Sequence, residues 1–278
     1  MNYYLKYKKY KIKYLKLKIS QQTGGMNGIK FTPKNISSLL THHNKSFELF
    51  DINFTSKEIE CINNFELNNN DFIDFSYFNW EDFHSKIIND LLTINSNKIS
   101  HNSLSQIIKK IGKIVLEGYS KDDFWMNIRF QPKNNLFDVP RWHCDGKYFK
   151  STENQSKFVI TLKGPTTLLI KPSFESINTY LQIKQEEENE IQKAKEESTF
   201  NNDKLMEIIN TYRQKFADKL KDYDIIQPTN NQGVIFFAGN NKNCAIHSEP
   251  PFTEPRIFIS ILPGTKEQIN EWKSRMKI

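Results

Sequence analysis

The segment Pro140-Arg141-Trp142-His143-Cys144-Asp145-Gly146 holds a His-x-Asp triplet, and a second histidine, His247, follows 104 residues later. Two neutral imidazoles and one carboxylate can occupy one face of an octahedral divalent ion and leave three positions open, which is the donor set of non-haem Fe(II) sites. Residues at i and i+2 of an extended strand point to the same side, so His143 and Asp145 can reach one ion from a single segment. Cys144, between them, then points to the other side and is not counted as a ligand. A chain with six histidines produces such a triplet readily by chance, so the assignment depends on its company.

Nine residues beyond His247, Arg256 opens the run Arg256-Ile257-Phe258-Ile259-Ser260-Ile261. Its period-two alternation places Arg256, Phe258 and Ser260 on one face and the isoleucines on the other. An arginine pointing into a core is costly unless an anion meets it. A dicarboxylate ligand is one such anion, which a guanidinium can grip bidentately; a protein acid in a structural ion pair is another. Upstream of the triplet, Asn127 and Arg129 share a face of Phe124-Trp125-Met126-Asn127-Ile128-Arg129-Phe130.

With His143-x-Asp145, the glycine-bounded apolar run 233–239, His247 and Arg256 in that order, the chain resembles the Fe(II)/2-oxoglutarate-dependent dioxygenases over residues 124–262, about half its length. The resemblance implies a double-stranded β-helix (jelly-roll) core, Fe(II) held by His143, Asp145 and His247, and 2-oxoglutarate held by Arg256. It also offers Asn127 and Arg129 as cosubstrate candidates, as in the alkylation-repair members. The implied reaction is a hydroxylation or demethylation that consumes O2 and 2-oxoglutarate and releases succinate and CO2. There are departures: many relatives carry Ser or Thr two residues after the arginine, where this chain has Phe258. Ser260 keeps the facing but lies one pair further along, and the interval between the histidines is long. Trp142, Tyr148, Phe149 and Phe252 flank the ligand candidates and could wall the site.

These residues need a β scaffold. From Phe124 onward, short runs rich in β-branched and aromatic residues (FWMNIRF, KFVITL, TTLLI, GVIFFAG, RIFISIL) are bounded by Gly, Pro and Asn and predict a sandwich or barrel. The charged stretch 174–223 reads as helices inserted between strands, which accounts for the long interval. Residues 26–120 read as helical support: Ser103 and Gln106 suggest a capping box for an amphipathic helix over 103–118, with a weaker pattern from Glu81 to Leu92. The expected fold class is therefore α+β, with a leader at 1–25, a helical support region at 26–120 and a catalytic core at 121–278.

The net charge of +7 comes from the leader. Residues 1–20 hold seven lysines and no acid, which leaves 32 basic against 32 acidic residues elsewhere. A neutral body argues against a long nucleic-acid track and leaves protein side chains, small metabolites and lipids open as substrates; a protein or peptide is preferred, with a nucleobase next. Tyr3, Tyr7, Tyr10, Tyr14 and Leu17 form one helical stripe among the lysines, which suits docking to an anionic surface or a capsid interior; a solvated extension is the plainer alternative. This leader, closing in Gly24-Gly25, resembles the starts of many giant DNA virus proteins and lacks the apolar core of a secretory signal. Cys61, Cys144 and Cys244 are too few for a disulfide framework and are expected as free thiols in a reducing compartment. No apolar run is long enough to span a bilayer. The expected location is the host cytoplasm or a virion, without secretion. Two other classes compete: a barrel without turnover acting as a virion or scaffold protein, and a cupin-type metal enzyme without 2-oxoglutarate. Arg256 discriminates against both, since neither needs a cation facing the metal.

Overall fold

The computed structural model describes residues 28–41, 45–67, 72–94, 98–133, 139–151, 154–197, 199–239 and 244–276. The basic leader expected at 1–25 lies outside the described residues. The architecture is mixed α/β, with a large sheet, a small sheet and helices outside both.

Among the described residues, eight strands run from the middle of the chain toward its end: β4 (Asp123–Gln131), β5 (Arg141–His143), β6 (Gln155–Lys163), β7 (Leu168–Ile170), β8 (Ile225–Ile226), β9 (Gln232–Ala238), β10 (His247–Glu249) and β11 (Arg256–Gly264). Strands β4, β6, β9 and β11 join the large sheet, while β5, β7, β8 and β10 make the small one in the order β5-β10-β7-β8. The chain thus passes back and forth between two sheets. Three earlier strands, β1 (Ile29–Lys30), β2 (Phe47–Asp51) and β3 (Ile73–Tyr77), extend the large sheet at both edges to give β1-β2-β9-β6-β11-β4-β3. The region read as helical support therefore also supplies strands. Its helices are α1 (Pro33–Thr41), α2 (Ser56–Asn64), α3 (Trp80–Ile94) and α4 (Lys98–Tyr119).

Side-chain alternation explains the layering. Along β11, Ile257, Ile259 and Ile261 face the helices and enter the main core with Phe124, Met126, Ile128 and Phe130 of β4 and with Ile107, Ile108, Ile111 and Val115 of α4. The intervening Phe258 packs on the opposite side with Val159, Leu169, Val234 and Phe236, between the two sheets. Burying each such aliphatic or aromatic side chain contributes about 1.5–3 kcal/mol, which fixes the register of strands whose two faces both lie inside the protein. Gly233 meets a packing need: a Cβ there would lie 2.3 Å from the ring of Phe158 on the neighbouring strand.

Helix α4 begins at Lys98, so Ser103 and Gln106 lie within it and do not cap it. Packing extends the helix, since His101 and Leu104 are already fully buried. The segment 174–223 forms two helices, α5 (Phe174–Lys195) and α6 (Asn202–Leu220), which pack on the outer face of the small sheet through Tyr180, Ile183, Tyr212 and Phe216 against Trp142, Leu168 and Ile170. A last helix, α7 (Lys266–Met276), follows β11. No helix among the described residues is long and apolar enough to cross a membrane.

Candidate metal centre

His143 and His247 are direct partners across the antiparallel β5–β10 pair. Two opposed residues of such a pair send their side chains to the same face, and here the rings meet with centroids 4.2 Å apart. Asp145 follows two residues after His143, and its carbonyl accepts a hydrogen bond from the Gly239 amide at 2.8 Å, which holds the turn after β5 against the end of β9. One potential ligand atom from each of His143, Asp145 and His247 lies within 4.8 Å of the other two, the only such group of His, Cys, Asp or Glu among the described residues.

The backbone selects the ring nitrogens. His143 Nδ1 lies 2.9 Å from the Arg141 carbonyl and His247 Nδ1 lies 3.0 Å from the Ala245 carbonyl. A carbonyl oxygen only accepts, so both Nδ1 atoms carry the proton and both Nε2 atoms keep a lone pair. Those Nε2 atoms face the Asp145 carboxylate at 3.7 and 3.8 Å. Burial, and then the neighbouring His247, push His143 down to about 3; burial likewise lowers His247. Burial alone would raise Asp145, but the ammonium of Lys157 opposes it and the carboxyl is held below the usual range. Two uncharged imidazoles beside one ionised carboxylate are the protonation states a divalent metal requires.

Lys157, from β6, places Nζ 2.6 Å from Asp145 Oδ2. The Tyr148 hydroxyl donates to the same oxygen. The Phe236 ring packs against His247 at a tilt of 34°, with centroids 4.2 Å apart. Together these groups hold the carboxylate and one imidazole in place.

The triad opens into a cavity of about 220 Å³ between the sheets, which Arg129, Arg256, Ser260, Phe258, Trp125 and Trp272 also line. Arg256 is only 1% exposed. Its Nη1 donates to Gln131 Oε1 at 2.9 Å, its Nη2 to Thr161 Oγ1 at 3.3 Å and Thr167 Oγ1 at 3.2 Å, and its Cζ lies over the Phe258 ring, 4.4 Å from the centroid. Its Nε is buried without a hydrogen-bond partner among the described residues. No carboxylate among the described residues lies within ion-pair distance of it; burial pushes the guanidinium down to about 9, against the opposing charge of Glu249, which is itself paired with Arg129 and Arg141, and it is still cationic at neutral pH. The alternative of a structural ion pair with a protein acid is therefore not realised among the described residues.

The other cosubstrate candidates differ. Arg129 lines the cavity, but its guanidinium is paired with Asp74 at 3.1 Å and Glu249 at 3.3 Å. Asn127 is buried, is not among the lining residues, and directs its amide to Asp74 on β3. Ser260 is a wall residue of the cavity. Of the four flanking aromatics, Tyr148 lines the cavity, whereas Trp142 enters the core under α5 and α6, and Phe149 packs with Leu262 and Ile269. Trp142 precedes His143 on the strand and must face the other way. Phe252 sits 5.7 Å from the Arg256 guanidinium.

Sequence reasoning did not single out Lys157, Gln131, Thr161 or Thr167. Gln131 carried a signal, because it continues the face of Asn127 and Arg129 by the same two-residue step. A larger open groove of about 590 Å³ between α5 and α6 is lined by Glu186, Glu190, Lys193, Lys204 and Tyr212 and lies apart from the triad.

No family model matches the sequence, and no curated protein matches it. Among solved structures the chain is similar to a prolyl-4-hydroxylase from Pseudomonas putida, at 10% identity over 87% of this chain and 98% of that one, with a TM-score of 0.37. It is also similar to a prolyl hydroxylase from Trichoplax adhaerens in complex with a hypoxia inducible factor oxygen degradation domain peptide fragment, at 7% identity over 86% and 93% of the chains and a TM-score of 0.38. A third is an N-substituted L-amino acid dioxygenase from Burkholderia ambifaria, at 13% identity over 85% and 89% and a TM-score of 0.35.

Proposed function

We propose that this protein is an Fe(II)- and 2-oxoglutarate-dependent oxygenase on a double-stranded β-helix, acting on a protein or peptide. The observation that carries the reading is Arg256: a buried guanidinium, hydrogen-bonded by neutral partners and with no carboxylate within ion-pair distance among the described residues, lines the same cavity as a His-Asp-His triad. The donor set fits Fe(II), with both Nε2 lone pairs freed by backbone hydrogen bonds. The passage of consecutive strands between two sheets supports the β-helix reading.

In this reading His143, Asp145 and His247 hold the iron, and Arg256 holds the distal carboxylate of 2-oxoglutarate. When bound, the metal and cosubstrate supply O2 activation coupled to oxidative decarboxylation. The chain's own groups orient and shield. Lys157 and Tyr148 occupy one oxygen of Asp145 and hold the carboxylate in one orientation. Phe258 and Phe236 provide an apolar lining that limits water, which strengthens the hold of Arg256 on an anion. Ser260 adds a hydroxyl to the wall, Arg129 a cation already shared with two acids, and Asn127 supports Asp74 from behind the cavity.

Anaerobic titration of the Fe(II)-loaded protein with 2-oxoglutarate tests this. A visible charge-transfer band should appear in the wild type and require far more cosubstrate in Arg256→Ala, with iron content unchanged. Equal cosubstrate affinity in the two proteins would make Arg256 structural and defeat the reading.

A further inference from the structure

Cys144 and Cys244 stand 100 residues apart in sequence, yet their sulfurs are 2.6 Å apart. That is well inside nonbonded contact and close to the ~2.05 Å of a covalent S–S bond. Each lies in a segment bearing the metal-ligand candidates: Cys144 between His143 and Asp145, Cys244 three residues before His247. Hydrogen bonds pin the backbone on both sides. The Cys144 amide donates to the Tyr180 hydroxyl at 2.9 Å, and the Ala245 amide donates to the Phe237 carbonyl at 3.1 Å. Two cysteines merely filling core space would not need this approach. Cys61 provides the contrast, with its sulfur set 3.8 Å from the Ser100 carbonyl.

We propose that Cys144 and Cys244 form a reversible disulfide that staples together the two segments carrying His143, Asp145 and His247. With hydrogen peroxide as oxidant, one thiolate attacks a peroxide oxygen, the O–O bond breaks, and, with one proton taken up, a sulfenic acid and water result. The second sulfur then displaces the hydroxyl as a second water and the S–S bond forms. Two thiols lose two protons and two electrons, and one hydrogen peroxide becomes two waters. Cysteine pairs of this kind in reducing compartments act transiently or as sensors. Here the staple keeps the ligand segments in register when no metal does so. The link does not rest on the oxygenase reading, and it is tested on metal-free protein.

The full chain, stripped of metal with a chelator, is treated with one equivalent of hydrogen peroxide, alkylated with iodoacetamide, digested without reductant and analysed by mass spectrometry. The expected product is a cross-linked pair of peptides containing Cys144 and Cys244, with Cys61 alkylated and the link reversed by dithiothreitol. The unfolding midpoint of the oxidised protein should rise by about 5–10 °C, because a cross-link over a long loop restricts the unfolded chain. Cys244→Ser treated in the same way should show neither change. Recovery of Cys144 and Cys244 as separate alkylated or sulfinic acid peptides from the wild type would overturn the proposal, as would a midpoint that does not move despite the link.

Discussion

Lys157 and Tyr148 converge on one oxygen of Asp145, and this shared contact is where residue-scale chemistry is most exposed to test. Replacing Lys157 with Met keeps the side-chain length and removes the charge. We expect metal affinity to drop about 10–100-fold, the usual effect of losing a group that hydrogen-bonds a ligand, with the fold retained; isothermal titration with Mn(II) measures it. His143→Ala and Asp145→Ala should abolish stoichiometric metal binding in folded protein, and unchanged metal content in either would remove that residue from the ligand set. Acidification probes the imidazoles. Both histidines have folded pKa values below the ordinary 6.5, His143 at about 3. The unfolded chain therefore takes up protons that the folded protein refuses, so stability is in place above about 6.5 and is lost as pH falls toward 3. The melting temperature of the metal-free protein should decline between pH 7 and 5, and less steeply in His143→Gln. The triad and Arg256 were legible in sequence because their spacing carries the chemistry. Lys157 was not, because a lysine within a run such as KFVITL looks like the polar phase of any strand.

At the scale of elements, β11 divides its residues between two tasks: isoleucines toward the helices, Arg256 and Ser260 toward the cavity. Ile259→Ala should cost about 2–5 kcal/mol in denaturant unfolding, as expected for truncation in a packed core. Gly233→Ala adds a Cβ against the Phe158 ring and should cost about 1–3 kcal/mol through overpacking. A neutral result there would mean that the β6–β9 pair can shift without loss. The alternation of β11 was readable in advance because one hydrophobic phase runs unbroken through it. Strands β2 and β3 were not, since FELFD and IDFSY are five-residue segments with acidic residues interspersed, and only the neighbouring strands β9 and β4 give them a role.

For the molecule as a whole, the helical pair α5–α6 is more than an ornament on the small sheet. It covers Trp142, Leu168 and Ile170, and Tyr180 within it accepts the Cys144 amide. Replacing residues 174–223 with a short turn is geometrically open, because Ile170 and Ile225 are already cross-strand partners. The shortened protein should nevertheless lose soluble yield and metal stoichiometry together, since Trp142 beside His143 would be uncovered. The charge pattern of this segment identified helices but could not show which face is buried, because acids and lysines dominate its sequence.

All three ligand candidates belong to the small sheet or the turn leaving it, whereas Arg256 belongs to the large one. The gap between the sheets is set by side chains packed on both sides of the cavity, such as Val159, Leu169 and Phe258, and packed layers do not breathe to suit a guest. Under the proposed reading the protein therefore contains a ruler: one end is the metal site, the other a guanidinium, and its length is fixed by the core. Under the proposed reading, a 2-oxo diacid one carbon shorter or longer than 2-oxoglutarate should reach one mark or the other but not both, and should lose affinity through strain in the guest.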